Sequence, residues 1–271
     1  MRSPYRRAVP SSDRSKLALI AGAAVLLIAV MAIAIFGFGG SGERSGAPIA
    51  SVGPSKQWTT VSTTAPVAML NAPREFVNVA LWPFDSPEAA DRWVLSQPGE
   101  TWQFDAGQTA LRFAGSYLGF TEMTRVVGVT DKGDHAWVQV GFLGPSNRDV
   151  VAATIHLQRI GSAVTAPWEV VGTQDDALTL DTPAYGSSLA GRTVKAGGMI
   201  TGVDDCIAVR VLQDGQTLGQ ARCVMAGGAP SPWTNQVTFT EPKPGVVTVV
   251  ASTGGHVADV EVFAVTGLRV G

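Results

Sequence analysis

The longest run of apolar positions in the chain lies near its start. Residues 17–38 read LALIAGAAVLLIAVMAIAIFGF, without a charged or polar side chain. A helix of this length spans about 33 Å, which exceeds the hydrocarbon core of a bilayer at about 30 Å. A helix buried in a soluble domain normally carries a polar stripe, and this segment has none. The pattern predicts one transmembrane helix over 17–38.

The flanks of this segment predict its orientation. Residues 1–16 carry five basic side chains and one acidic side chain, whereas 39–44 hold one charge of each sign. Positive charge on the inner side predicts a cytoplasmic tail (1–16) and an extracytoplasmic C-terminal side. Cleavage near Ala34 is the alternative, since Ala32-Ile33-Ala34 has the form of a signal-peptidase site. The apolar run continues to Phe38, which favours an uncleaved signal-anchor.

The next segment, 39–73, loses all hydrophobic periodicity. It is rich in Gly, Ser, Thr, Pro and Ala. Such a composition cannot bury enough apolar surface to offset the entropy of ordering the chain. The pattern predicts a flexible linker between the membrane and the folded part.

Residues 74–177 show two helical patterns followed by alternating strands. Ser86-Pro87-Glu88 favours the start of one helix, and Asp105 followed by Gln108 favours the start of a second. The predicted strands are Thr124–Thr130, His135–Leu143, Asp149–Ile160 and Trp168–Gly172. Helices followed by an antiparallel meander predict an α+β domain. The order of these elements resembles the later part of nuclear transport factor 2-like domains.

Residues 178–271 contain only strand patterns, separated by Gly, Pro and Asp turns. The predicted strands are Leu178–Thr182, Arg192–Val194, Met199–Val203, Cys206–Leu212, Thr217–Met225, Asn235–Glu241, Val246–Ser252 and Val257–Val265. Many short strands at this spacing are typical of a β-sandwich.

This last region also resembles the bacterial spore germination immunoglobulin-like domain. The resemblance is carried by Pro183-Ala184-Tyr185-Gly186, Gly198, Gly202, Val209, Val211, Asp214-Gly215, Leu218, Pro232-Trp233, Val237, Phe239, Val247, Val249, Val260 and Val262. The family often has Glu where Asp205 stands, and it does not require cysteines. The resemblance implies a non-catalytic, extracytoplasmic immunoglobulin-like module and transfers no catalytic residue. The whole chain resembles actinobacterial single-pass membrane proteins of unknown role.

Cys206 and Cys223 are the only cysteines of the chain. Asp214-Gly215 is a strong two-residue hairpin signal. Counting outward from this turn, Gln213 faces Gln216, and the cysteines then face each other at a non-hydrogen-bonded pair. That spacing, with the predicted oxidising compartment, predicts a Cys206–Cys223 disulfide. The alternative is a pair of buried free thiols.

The charge of the chain outside its N-terminal tail argues against one class of partner, nucleic acid. Outside the N-terminal tail the chain has 15 basic and 21 acidic residues. An acidic ectodomain has no electrostatic reason to bind nucleic acid. We therefore expect no nucleic-acid partner.

Residues able to support catalysis or bind metal are few. None of His135, His156 and His256 has a second ligand at metal-binding spacing, which favours solvated surface histidines. Gly186-Ser187-Ser188 is not a nucleophile elbow, because Ala190 replaces the second glycine. Asp175-Asp176 and Asp204-Asp205 occupy predicted turns without an EF-hand spacing. We expect no catalytic, cofactor-binding or metal-binding residue.

Three tryptophans, Trp93, Trp137 and Trp168, lie on periodic elements. This pattern predicts core positions for all three.

These observations predict a cell-membrane protein with one N-terminal transmembrane helix, an α+β domain (74–177) and an immunoglobulin-like sandwich (178–271). The expected role is a non-catalytic binding or assembly module with a partner in the cell envelope. One alternative is a small-ligand-binding protein with a pocket in the α+β domain. An envelope hydrolase is the remaining alternative.

Overall fold

The described part of the chain is mostly antiparallel β-sheet with few, short helices. The computed structural model describes residues 74–96 and 98–271, apart from the side chains of 203–205. The predicted tail, membrane span and linker (1–73) therefore lie outside the described residues. Among the helices that are described, none combines the length and the apolar character of a membrane span.

Four helical segments of the described chain precede the strands. They are α1 (Pro87–Leu95), a 3₁₀ helix (Trp102–Phe104), α2 (Ala106–Arg112) and a π-helical turn (Phe113–Tyr117), and a second 3₁₀ helix (Pro145–Asn147) lies between the second and third strands. The strands are β1 (Arg125–Asp131), β2 (His135–Leu143), β3 (Asp149–Arg159), β4 (Trp168–Thr173), β5 (Thr193–Gln213), β6 (Gln216–Gln220), β7 (Val224–Thr238), β8 (Gly245–Thr253) and β9 (Val262–Val270).

The first sheet is an antiparallel meander in the order β1-β2-β3-β4. Its strands begin and end within one residue of the predicted bounds. Alternation along β2 and β3 places Val138 and Ile155 in the core, while Trp137 and His156 share the opposite, outer face. The β1–β2 turn is the predicted one, with Gly133 at a positive φ of 79°.

The helices cover the inner face of this sheet. Both predicted N-caps are confirmed: Ser86 Oγ accepts from the Ala89 amide at 3.2 Å, and Asp105 Oδ1 accepts from the Gln108 amide at 2.8 Å. α2 continues into the π-helical turn, which buries Phe113 and Tyr117. Burial of such an apolar face, more than the intrinsic propensity of short helices, stabilises them.

The second sheet has the order β6-β5-β8-β9, and β7 pairs with the first half of β5. The 21-residue β5 therefore belongs to two layers, because its second half pairs with β6 and β8. Side chains from these strands form one apolar core that includes Val209, Trp233 and Val249.

Several predicted strand boundaries in this region are wrong. Three predicted strands (192–194, 199–203 and 206–212) are one continuous strand, β5. Predicted strand 178–182 makes only isolated bridges to Ile200 and Gly197. The glycines of β5 allow a close approach here, since a Cβ on Gly198 would lie 2.1 Å from the Thr179 carbonyl oxygen. Predicted strand 257–265 begins later, at Val262.

The core of the first sheet extends into the second region. It includes Leu212, Val250 and Phe263 beside the helix and β2–β3 residues. The rings of Phe120 and Phe263 lie 5.1 Å apart. Arg210 donates to the Leu118 carbonyl at 2.8 Å and lies over the Phe120 ring. The residues of 74–177 and 178–271 thus share apolar packing across the predicted domain boundary.

The predicted Cys206–Cys223 disulfide is confirmed, with the two Cα atoms 5.3 Å apart. The strand register from which this disulfide was predicted, counted outward from the turn at Asp214-Gly215, is wrong. Gln213 does face Gln216, but a bulge between Val211 and Leu212 shifts the pairing, and Cys206 faces Met225. Cys223 lies in the short break between β6 and β7. The disulfide therefore joins a strand to the residue before the next strand.

Candidate functional site

A cleft lies where the first region meets the second. Its volume is about 520 Å³. One wall is the segment 80–85, Tyr117 lies beside it, and the opposite wall is formed by 213–214 and 243–246. We call it the junction cleft. Its size is within the range of about 300–1,000 Å³ that is usual for ligand sites.

The first wall is attached to the edge of the first sheet. The Leu81 amide donates to the Val170 carbonyl at 3.0 Å, and the Val170 amide donates to the Trp82 carbonyl at 2.8 Å. The peptide bond between Trp82 and Pro83 is cis. These contacts fix the backbone of the wall against β4.

Glu169 is buried directly beneath this wall. Its Oε2 accepts from the Phe84 amide at 2.9 Å, while its Oε1 has no hydrogen-bond partner among the described residues. Burial raises the pKa of Glu169 well above its ordinary value, although hydrogen bonds from the Phe84 and Trp82 backbone act in the opposite direction. Burial therefore disfavours the charged carboxylate relative to the neutral acid.

Trp82 and Tyr117 line the junction cleft, and further aromatic rings pack behind them. The Trp82 ring stacks on Trp102 with centroids 5.0 Å apart, and Trp82 lies 6.2 Å from both Phe113 and Tyr117. Arg112 caps the outer ring of this stack, 4.9 Å from the Trp102 centroid. Aromatic packing of this kind is rigid, so this lining keeps its shape.

Two buried polar contacts hold the second wall. The Tyr117 hydroxyl lies 3.0 Å from Thr248 Oγ1, and burial raises the pKa of the Tyr117 phenol. Gln213 donates to the Lys243 carbonyl at 2.9 Å and accepts from the Lys243 amide at 2.8 Å. Both contacts are to the backbone of Lys243, so its side chain is not engaged by Gln213. This exposed side chain lies at the rim of the cleft with the exposed Asp85 and Asp214.

A second cluster of functional groups lies on the outer face of the first sheet. His135 Nδ1 and His156 Nε2 are 3.0 Å apart. The Trp137 ring stacks on His156 at 4.7 Å with an interplanar angle of 3°, and Lys132 Nζ lies 5.3 Å from the Trp137 centroid. Desolvation, and then the neighbouring His135, lower the pKa of His156 to about 4. We call these four residues the outer-face cluster.

Two predictions about these residues are wrong. His135 and His156 are half-buried and hydrogen-bonded rather than separately solvated. Trp137 is a half-exposed outer-face residue, whereas Trp168 is in the core as predicted and Trp93 is half-buried. Alternation along β2 predicts the outward direction of Trp137, since His135 and Trp137 are offset by one position from Ala136 and Val138.

The remaining predicted candidates are dispersed. His256 lies in a loop where Glu261 accepts from the backbone amides of residues 256–258. Ser187 Oγ donates to the Ala184 carbonyl at 2.7 Å, and Asp175 accepts from the Ala177 amide at 2.8 Å. Within the part of the chain that the structure describes, no group of three His, Cys, Asp or Glu side chains converges as metal ligands.

Glu169 and Gln213 were not identified as candidates from the sequence. A usable signal exists for Glu169, because it is the single polar residue in the apolar stretch WEVV (168–171). Such residues are rarely buried without a partner. The segments that they support, 80–85 and 243–246, cannot be inferred from that signal.

The chain matches no protein-family model, no curated protein and no solved structure at a significant level.

The buried carboxyl of Glu169 predicts a specific pH dependence. Because its pKa is raised in the folded state, the folded state binds more protons than the unfolded state above about pH 4.5, and stability falls as pH rises towards the folded-state pKa. We expect Glu169→Gln to remove this loss. The unfolding free energy of the variant relative to the parent should rise by up to about 1.4 kcal/mol per pH unit across that window.

Urea unfolding of the two full-length proteins at several pH values from about 4 to 8 measures this difference. All other titrating groups are common to both chains, so the difference isolates position 169. If the unfolding free energies of the two proteins changed with pH in parallel, Glu169 would have the same pKa in the folded and unfolded chains.

Proposed function

We propose that the chain is a non-catalytic, extracytoplasmic binding or assembly module that is tethered to the cell membrane by the helix predicted over 17–38. The positive flank at 1–16 supports a cytoplasmic N-terminus. The Cys206–Cys223 disulfide supports an oxidising, extracytoplasmic location for residues 74–271, because such bonds form and persist in oxidising compartments. The partner is an envelope protein.

The finer fold assignment is part of this proposal. Helices packed on one face of the β1–β4 meander support an α+β domain over 74–177. Strands β5–β9 and their common apolar core support an immunoglobulin-like sandwich over 178–271, in line with the sequence resemblance to spore germination domains.

The junction cleft carries the binding function in this proposal. Its walls come from both regions, and buried contacts at Glu169, Tyr117 and Gln213 hold them in place before any partner arrives. A pre-organised concave surface loses little entropy on binding. The exposed Asp85, Asp214 and Lys243 at its rim supply polar recognition around an aromatic lining.

The volume of the junction cleft also favours a second candidate function, the binding of a small ligand. A volume of about 520 Å³ suits a small molecule as well as a protruding peptide segment. In this case the chain is a small-ligand-binding envelope protein, and the site lies at the border of the predicted α+β domain.

Membrane topology can be tested independently of binding. The full-length chain with an epitope tag at each end should sediment with the membrane fraction. External protease added to spheroplasts should remove the C-terminal tag and leave the N-terminal tag intact. Recovery of the C-terminal tag in the soluble fraction with a cleaved N-terminus contradicts the tether and supports cleavage near Ala34.

Binding at the junction cleft can be tested by site-specific photocrosslinking in cells. A photoreactive residue at position 243 keeps the backbone contacts to Gln213 and should yield an adduct with an envelope protein. The same residue at the exposed position 148, outside the cleft, is the control and should yield none. Asp85→Lys, which reverses a rim charge, should suppress the adduct.

A small ligand gives a different result in the same design. It yields no protein adduct at position 243, but native mass spectrometry of the purified full-length chain then shows an additional mass that Asp85→Lys removes. Absence of both the adduct and the additional mass contradicts binding at the junction cleft.

A further inference from the structure

The outer-face cluster brings two ring nitrogens together in a way that the junction cleft does not require. His135 lies on β2 and His156 on β3, where His156 is directly opposite Trp137 and His135 is opposite Gln158. The two histidines are therefore diagonal neighbours on one face, a separation that long or aromatic side chains can bridge. Their Nδ1 and Nε2 atoms are 3.0 Å apart.

We infer that His135 and His156 form a two-histidine binding site for Cu²⁺ on the outer face of the first sheet, with solvent in the remaining coordination positions. The ion replaces the hydrogen bond between the two nitrogens, and the proton of that bond moves to the other nitrogen of its own ring. This site is separate from the junction cleft, and it does not depend on the proposed partner-binding role.

The separation of the two nitrogens decides the coordination geometry. With metal–nitrogen bonds of about 2.0–2.1 Å, two nitrogens 3.0 Å apart subtend an angle of about 95° at the metal. This is close to the 90° of neighbouring ligands in a square-planar or tetragonal site, which is the arrangement that Cu²⁺ prefers. A tetrahedral zinc site needs about 109°, and hence a wider separation of the two nitrogens.

The surroundings make the pair suitable as ligands. Trp137 stacks on one face of the His156 ring, so it orients that ring while the nitrogen at the ring edge faces His135. Both rings are half-buried, which leaves access for the ion and for its solvent ligands.

The choice of ion follows from the number of protein ligands. The described residues hold no third His, Cys, Asp or Glu at this place. Two imidazoles alone favour the ion with the highest intrinsic affinity for nitrogen, and among the divalent first-row ions that is Cu²⁺. Mg²⁺ and Ca²⁺ prefer oxygen ligands and should not compete.

The test is a Cu²⁺ titration of the purified full-length chain in detergent, with glycine as a competing ligand, followed by electron paramagnetic resonance. We expect one tight equivalent of Cu²⁺ whose spectrum shows coupling to two imidazole nitrogens. Loss of even an outer-shell partner of a metal-bound histidine weakens binding by about 10–100-fold. Either His135→Gln or His156→Gln should therefore weaken binding by at least about tenfold and remove the two-nitrogen coupling.

His256→Gln is the matched control, since His256 lies in the loop before β9 and outside the cluster. It should leave both the affinity and the spectrum unchanged. Thermal unfolding of each variant without metal verifies that it is folded. Two single variants are used, so that if one misfolds the other still tests the site. Unchanged Cu²⁺ affinity in the folded variants, or a spectrum altered only by His256→Gln, would overturn the assignment.

Discussion

Replacement of Phe263 by alanine should destabilise the described chain by about 3–5 kcal/mol. Phe263 is fully buried on β9, yet its ring packs against Phe120 in the core of the first sheet. The substitution removes apolar contacts and leaves a cavity that rigid sheets on both sides cannot fill by relaxation. Because the cavity lies in the shared core, both regions should lose stability together.

Urea unfolding of the full-length chain, followed by tryptophan fluorescence and by far-ultraviolet circular dichroism, measures this effect. The two signals should coincide in a single transition at lower urea concentration than in the parent. Val257→Ala is the control, since Val257 is 52% exposed and should change stability by less than about 0.5 kcal/mol. Separate transitions, with only one moved by Phe263→Ala, would show that the shared core does not couple the two regions.

Replacement of both Cys206 and Cys223 by serine should destabilise the chain by about 2–3 kcal/mol. The disulfide closes a loop between residues 17 positions apart, and a cross-link of that size restricts the unfolded chain by about 3 kcal/mol. The stabilisation by the disulfide is smaller than this value if the unfolded chain already brings the two cysteines together. The two-residue turn at Asp214-Gly215 favours such a loop in the unfolded chain. Both turn residues have positive φ, at 51° and 72°.

Equilibrium unfolding of the parent with and without reducing agent, beside the double variant, measures this contribution. Reduction should lower the stability of the parent to that of the variant and should leave the variant unaffected. Equal stability of the oxidised parent and the double variant would contradict a stabilising role for the disulfide.

The first region was predictable in detail because its signals are local. Burial alternates along β2 and β3, and the caps at Ser86 and Asp105 lie within one turn of the amides that they bind. Hydrophobic periodicity reports directly which side of a strand faces the core. Trp137 was wrongly predicted to be a core residue, although it alternates with the buried Ala136 and Val138; the stacking of its ring on His156 from another strand has no local signal.

In the second region the same signals were misleading. Gly197 and Gly198 suggest a turn, yet both lie inside β5, where the backbone of Trp233 approaches Gly197 and that of Thr179 approaches Gly198 too closely for a side chain. The sequence does not distinguish a glycine that ends a strand from one that permits close packing. The bulge beside Leu212 likewise moved the cysteine register without leaving a sequence signal.

The junction cleft depends on contacts between distant segments. Tyr117 and Thr248, which hold it together, are 131 positions apart. Its walls at 80–85, 213–214 and 243–246 carry no sequence pattern that indicates a site, whereas the apolar neighbours of the buried Glu169 mark that residue as unusual.

By itself, the sequence determined the β-rich character of the folded part, the meander of the first sheet, the helix starts and the pairing of Cys206 with Cys223. Each of these depends on neighbouring residues or on a single tight turn. Only the tertiary structure decided the extent of β5, the shared core around Phe263, the junction cleft and the meeting of His135 with His156. Those features arise where segments far apart in the chain are packed together, and local patterns of polarity carry no information about which distant segments meet.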